Sequence, residues 1–80
     1  MENVKKYNEI FIDVFSVSET DLGKLFTRNN VSNWDSIHQL NLVSYIEEVF
    51  DIILDTEDIL DITSYDNGQD ILSGKYGISF

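Results

Sequence analysis

The run Trp34-Asp35-Ser36-Ile37-His38-Gln39-Leu40, continuing through Asn41 to Phe50-Asp51, constrains the chain more than any other. It is a loop that stops abruptly and becomes a helix. From Ser36 to about Asp51, the apolar residues Leu42, Val43, Ile46, Val49 and Phe50 recur at the spacing of one helical face. Ile37, Asn41, Ser44 and Glu48 fall on the outer side, flanked by His38, Tyr45 and Glu47. An apolar stripe of this kind has to be covered by other elements of the same small domain.

Ser36 stands at the junction and admits two readings. In the first it is the N-cap: Ser36 with Gln39 fits a capping box, the serine oxygen accepting an orphan amide and the glutamine reaching back. In the second it is an attachment point, because a hydroxyl at the mouth of a helix is exposed and the amides and dipole there favour a bound phosphate.

Three more helices are expected around this one. Val4, Tyr7, Phe11, Val14 and Phe15 mark one face of a first helix from about Glu2 to Phe15, with Ile10 and Ile12 widening or escaping it. Ser16 to Trp34 is a long connection with turn-forming Ser-Glu-Thr-Asp, Gly23 and Asn29-Asn30. Its Leu22, Leu25, Phe26, Val31 and Trp34 are too apolar for a loose linker, so it should pack across the bundle, with a helical turn near Asp21–Phe26. Ile52-Ile53-Leu54 reads as a short buried connection, and a short third helix follows near Thr56–Leu60. Thr63-Ser64-Tyr65-Asp66 resembles a capped start of a fourth helix reaching about Ser73, anchored by Tyr65, Ile71 and Leu72 and ended by Gly74 and Gly77. Gly68 inside it costs about 1 kcal/mol relative to Ala, and Gln69 occupies a position where an apolar residue was expected. The expected fold is an all-α, small four-helix bundle with three longer helices, one short third helix and a long loop between the first two. It spans residues 1–80 as a single domain.

Charge separates the two parts of the chain. The formal net charge is −10. Residues 1–28 hold four basic and five acidic side chains, leaving −1, whereas residues 29–80 hold ten acids against Lys75, leaving −9. A field of that sign repels nucleic acid and anionic membrane and steers basic protein surfaces toward it. With no Cys there is neither a disulfide framework nor a thiolate metal site. Nothing near Met1 to Asp13 has the pattern of a signal peptide, and no run has the length of a membrane span. A cytoplasmic monomer is expected.

Asp35-Ser36-Ile37 resembles the Asp-Ser-Leu signature of the acyl and peptidyl carrier protein family, with Ile in place of Leu. The helix end Ile46-Glu47-Glu48-Val49-Phe50-Asp51 is similar to that family's acidic helix end, and the likeness runs from about Val4 to Leu72. The resemblance implies a 4'-phosphopantetheine arm, taken from coenzyme A, joined to Ser36 through a phosphodiester. It makes Asp35 a motif residue near the metal site of a phosphopantetheinyl transferase, and Ile37, Leu40, Glu47 and Glu48 docking residues. The implied partners are that transferase, an acyl- or aminoacyl-activating ligase and a downstream transferase or condensing enzyme. Trp34 before the Asp is similar to carriers of peptide-synthetase-like and dedicated pathways. His38 and Asn41 are uncharged where many fatty-acid carriers have acids, and Ser44 replaces a usual bulky apolar residue. The resemblance therefore implies a stand-alone carrier of a dedicated pathway rather than of central fatty acid synthesis.

The inventory of reactive groups argues against an enzyme. The only histidine, His38, lies two residues from Ser36, so on a helix their side chains point roughly 200° apart and cannot form a nucleophile–base pair. His38 reads as a solvated helix residue. An EF-hand centred on Gly68 fails, because Thr63, Tyr65 and Gly74 would occupy liganding positions and only Asn67 could serve. No Gly-rich phosphate loop is present. The alternative to a carrier is an acidic helical interaction module that is never modified, such as an inhibitor or a polyanion mimic.

Overall fold

The computed structural model describes residues 2–80. Among them the chain forms four helices and no strand: α1 (Glu2–Phe15), α2 (Ser36–Phe50), α3 (Thr56–Asp61) and α4 (Tyr65–Tyr76). This is the expected small four-helix bundle with one short third helix. None of the helices is long and apolar enough to cross a membrane.

The heart of the core is aromatic. Tyr7, Phe11 and Phe15 recur every fourth residue along α1 and are buried, and Ile10 is buried with them. Val14 is only half-buried, so the inward face of α1 is centred one step away from the expected one, on Ile10 rather than Val14. Phe11 meets Tyr7, Phe15, Phe26, Trp34 and Tyr65 at ring-centroid distances of 4.8–6.0 Å, mostly tilted or edge-on. Such geometries add favourable quadrupole contacts to the burial of large apolar area.

The long loop is pinned at both ends and in the middle. Its helical turn lies at Glu19–Asp21, earlier than the expected 21–26, because the Asp21 carboxylate accepts from the Ser18 amide and hydroxyl. Phe26 and Trp34 insert into the core, while Leu25 is 80% exposed and does not take part in the packing expected of it. An isolated antiparallel bridge, Thr27 to Ser64, fastens the loop to the start of α4: the Arg28 amide donates to Thr63 O at 2.8 Å and the Tyr65 amide to Phe26 O at 2.9 Å. These bonds satisfy backbone groups that would otherwise be stranded beside the core.

The 51–55 connection is less buried than expected. Leu54 is inside, Ile52 is half-buried and Ile53 is 86% exposed. Asp51 ends α2 in the left-handed conformation, φ 55°, so the chain turns at once and only alternate apolar residues face inward.

The fourth helix runs one turn past Ser73. Gly74 is exposed and does not stop it, because the next residues are anchored: Lys75 Nζ lies 2.8 Å from Asp58 Oδ1 and Tyr76 Oη donates to Asp58 Oδ2 at 2.6 Å. The helix ends at Gly77, in the left-handed region at φ 70°. Its start is a reciprocal cap in which Ser64 Oγ accepts from the Asn67 amide while Asn67 Oδ1 accepts from the Ser64 and Thr63 amides. Gly68 is buried because the Tyr7 hydroxyl, on its way to Tyr65 O at 2.7 Å, occupies the space a side chain would need. The C-terminal residues dock: Ile78 is buried, and Phe80 packs edge-on against Tyr7 and Phe50.

Candidate functional site

The junction into α2 gives three adjacent residues three different environments. Trp34 is buried against Phe11, Phe15 and Phe26 and fixes the end of the loop. Asp35 is extended, with φ −110° and ψ −172°, and is the N-cap: its Oδ1 accepts from the His38 amide at 2.9 Å. Ser36 is the first helical residue and is exposed. The capping box of the first reading is therefore not formed, and Ser36 is left exposed as the attachment-point reading requires. Asp caps as well as Ser, and its charge suits the positive end of the helix, so the residue before Ser36 takes the role.

Gln39 is turned inward instead, at 6% exposure. Its Oε1 accepts from Trp34 Nε1 at 2.6 Å, and its Nε2 donates to Ile59 O at 2.7 Å and Ile62 O at 2.9 Å. One amide thus ties the loop end, the start of α2 and the end of α3 together. Two signals in the sequence point to it. Gln39 continues the stripe of Leu42, Val43 and Ile46 one turn earlier, and a buried indole N–H needs an acceptor.

His38 is half-buried rather than solvated. Its ring stacks on Phe15 at 5.7 Å and 16°, and Nδ1 lies 2.8 Å from Asp35 Oδ1. Hydrogen bonds from the His38 backbone, then from its ring, hold the Asp35 carboxyl below the usual carboxylate range. The histidine and Ser36 do not converge: His38 is directed to Asp35 and α1, and Ser36 faces solvent.

The remaining residues expected at this surface differ among themselves. Ile37 and Leu40 are 69% and 61% exposed, beside Ser36 on the outer side of α2. Leu60 of α3 is also exposed. Glu48 is exposed, but Glu47 is half-buried and its Oε2 accepts from the Leu54 amide at 2.8 Å. Glu47 is thus occupied in holding the turn after α2, and only Glu48 of the pair presents an uncommitted carboxylate. On the opposite flank Tyr45 Oη donates to Asp13 Oδ2 at 2.8 Å and links α2 to α1. Among the described residues no group of three or more His, Cys, Asp or Glu is arranged to hold a metal ion.

Comparison with protein-family models, curated proteins and solved structures gives no match for this chain.

Proposed function

We propose that the chain is a carrier protein, in which Ser36 accepts a 4'-phosphopantetheine arm and partner enzymes load and process acyl or aminoacyl groups on it. The observation that supports this reading is the division of labour at the helix start. Asp35 caps α2, so Ser36 is left exposed at the first helical position with its hydroxyl available to another molecule. The resemblance of Asp35-Ser36-Ile37 to the carrier signature gives that hydroxyl a reaction.

In that reaction the Ser36 oxygen forms a bond to the phosphorus that bears pantetheine in coenzyme A. The bond from that phosphorus to 3',5'-ADP breaks, and the hydroxyl proton passes to a base on the transferase. The residues present fit the group. The phosphodiester would carry one negative charge at the amide-rich, positive end of a 15-residue helix. Asp35 adds a negative charge nearby; its Oδ1 accepts from the His38 amide and lies 2.8 Å from the His38 ring, while the side chain as a whole stays exposed. When bound, the arm supplies a thiol that holds the cargo as a thioester, a group this Cys-free chain does not contain.

The protein's own part is presentation. Ile37 and Leu40 offer an apolar patch beside the attachment point, and Glu48 offers a charge for Arg or Lys of the transferase, the ligase and the downstream enzyme. A coenzyme A-dependent carrier with such partners would work in the cytoplasm.

The test is intact mass after incubation with coenzyme A and a phosphopantetheinyl transferase that modifies a control carrier. The parent should gain one phosphopantetheine and Ser36→Ala none. A parent that gains nothing while the control is modified leaves the unmodified acidic interaction module as the reading.

A further inference from the structure

The carrier reading leaves open whether a cargo enters the bundle or remains outside it, and the Gln39 tie bears on that question. Resting on that reading, we infer that Gln39 closes the seam between α2 and α3, so the cargo is carried on the surface and belongs to the small or polar acyl and aminoacyl groups rather than to long aliphatic chains.

Gln39 lies one turn after Ser36, inside the seam where α2 faces the end of α3. A chain folding back from Ser36 into that seam would have to part Gln39 from Ile59 O and Ile62 O. It would also dislodge the acceptor of the buried Trp34 indole. Five polar atoms, Trp34 Nε1, Gln39 Oε1 and Nε2, Ile59 O and Ile62 O, would lose partners at once, and an aliphatic chain can replace none of them. Below the tie, Leu42, Ile46, Ile62 and Phe11 are all fully buried and close-packed, so an inserted chain would also overpack the core.

The space the molecule does offer is of another kind. A groove of about 480 Å³ opens between α1 and α2 and is lined by Asp13, Val14, Asn41, Ser44, Tyr45 and Glu48. Its rim is polar and acidic, which disfavours an aliphatic chain. Ile37 and Leu40 lie beside Ser36 and allow a short apolar group to rest against them without leaving water. A long chain in either place would keep much of its surface hydrated, and the hydrophobic effect would draw it and its neighbours into association.

The experiment loads Ser36 through the transferase with acetyl-, hexanoyl- and dodecanoyl-coenzyme A and confirms each product by mass. Three properties are then read against chain length: the melting temperature, the Trp34 indole N–H resonance and its exchange, and the rate of thioester cleavage by hydroxylamine. All three are expected to be the same for acetyl and dodecanoyl forms, at matched low protein concentration. A dodecanoyl form that melts several degrees higher, is cleaved about tenfold more slowly and shifts the indole signal would overturn the inference, because such protection means burial.

Gln39→Met keeps the volume and removes the tie. In that variant chain length should begin to register in melting and cleavage; a folded Gln39→Met as blind to chain length as the parent would show that Gln39 is not the barrier. If Gln39→Met does not fold, the parent series alone decides. Failure of Ser36 to take any arm refutes the carrier reading itself, whereas a loaded but buried chain refutes only this inference.

Discussion

At the scale of single residues, the environments of Asp35, Ser36, Gly68 and Asp58 each carry a measurable consequence. Ser36 is not the cap, and Ala has the better helix propensity, so Ser36→Ala should leave the melting temperature nearly unchanged. Asp35→Ala removes the acceptor of the His38 amide and should lower the melting temperature by roughly 4–8 °C, the effect of losing one ordinary cap in a domain of this size. Thermal unfolding of the two variants side by side checks the pair, and a larger loss for Ser36→Ala would return the cap to the serine. At Gly68 the usual preference for Ala in a helix is reversed. A Cβ there would fall on the Tyr7 hydroxyl and lie 3.3 Å from Tyr7 Cζ, so the bond from Tyr7 to Tyr65 O would have to break. Overpacking of this kind costs about 1–3 kcal/mol, more than the ~1 kcal/mol that Ala gains by propensity. Gly68→Ala should therefore melt lower than the parent, and Tyr7→Phe combined with it should recover part of the loss. Asp58 is buried beneath Lys75 and Tyr76, whose hydrogen bonds hold its carboxyl below the usual value of 3.8. A lowered folded-state pKa contributes stability that is fully present above the unfolded value and is lost as pH falls through the folded one. The difference in melting temperature between the parent and Asp58→Asn should be present at neutral pH and shrink below about pH 4.

At the scale of elements, α2 serves two purposes, and its acidic end divides between them. Glu47 holds the Leu54 amide, so Glu47→Lys should lower the melting temperature as well as slow modification. Glu48 is exposed, so Glu48→Lys should slow modification by the transferase and weaken its salt dependence while leaving the melt in place, as a charge at the rim of an interface does. Stopped-flow or timed mass measurement at two salt concentrations separates the two; a parental rate for Glu48→Lys would move the docking surface away from this helix end. The elements themselves were largely legible in the sequence, because the apolar period of α1 and α2 is strong and their starts carry ordinary signals. The bounds of α1 and the start of α2 agree with the expectation, and the end of α2 differs by one residue. What was not legible depended on contacts distant in the chain. The α4 extension past Gly74 needs Asp58, seventeen residues before Lys75, and the exposure of Leu25 and Ile53 follows from how two loops turn. At the site, the exposed Ile37, Leu40 and Glu48 follow from helical phase. Asp35 and Ser36 are both good caps, so local propensity leaves the choice between them open; Asp35 takes the role, and Gln39 turns inward toward Trp34 and α3.

At the scale of the whole molecule, the charge imbalance is confined to a body of 29 × 27 × 19 Å. Residues 29–80 carry −9, and among the described residues the pair of fixed opposite charges is Asp58 with Lys75. The remaining acids of that part share a body only a few times wider than the ~8 Å screening length of physiological salt, so they are incompletely screened from one another. Unfolding lets them move apart, so their mutual repulsion lowers the stability of the compact state. Added salt should therefore raise the melting temperature, steeply up to roughly physiological ionic strength and weakly beyond it, as the screening length falls below the spacing of the charges. The one buried charge contact opposes this trend only slightly, because Lys75 is itself half-exposed and its partner is also held by the Tyr76 hydroxyl. Divalent cations should raise the melting temperature too. With no cluster of three carboxylates arranged for a metal among the described residues, magnesium should act as a diffuse counterion, with a gradual response and no saturation at one equivalent. Melting curves in sodium chloride and magnesium chloride at matched ionic strength test both statements. Indifference to either salt would mean that the acids are too well separated to repel in the folded chain, whereas saturation at stoichiometric magnesium would mean a discrete cation site.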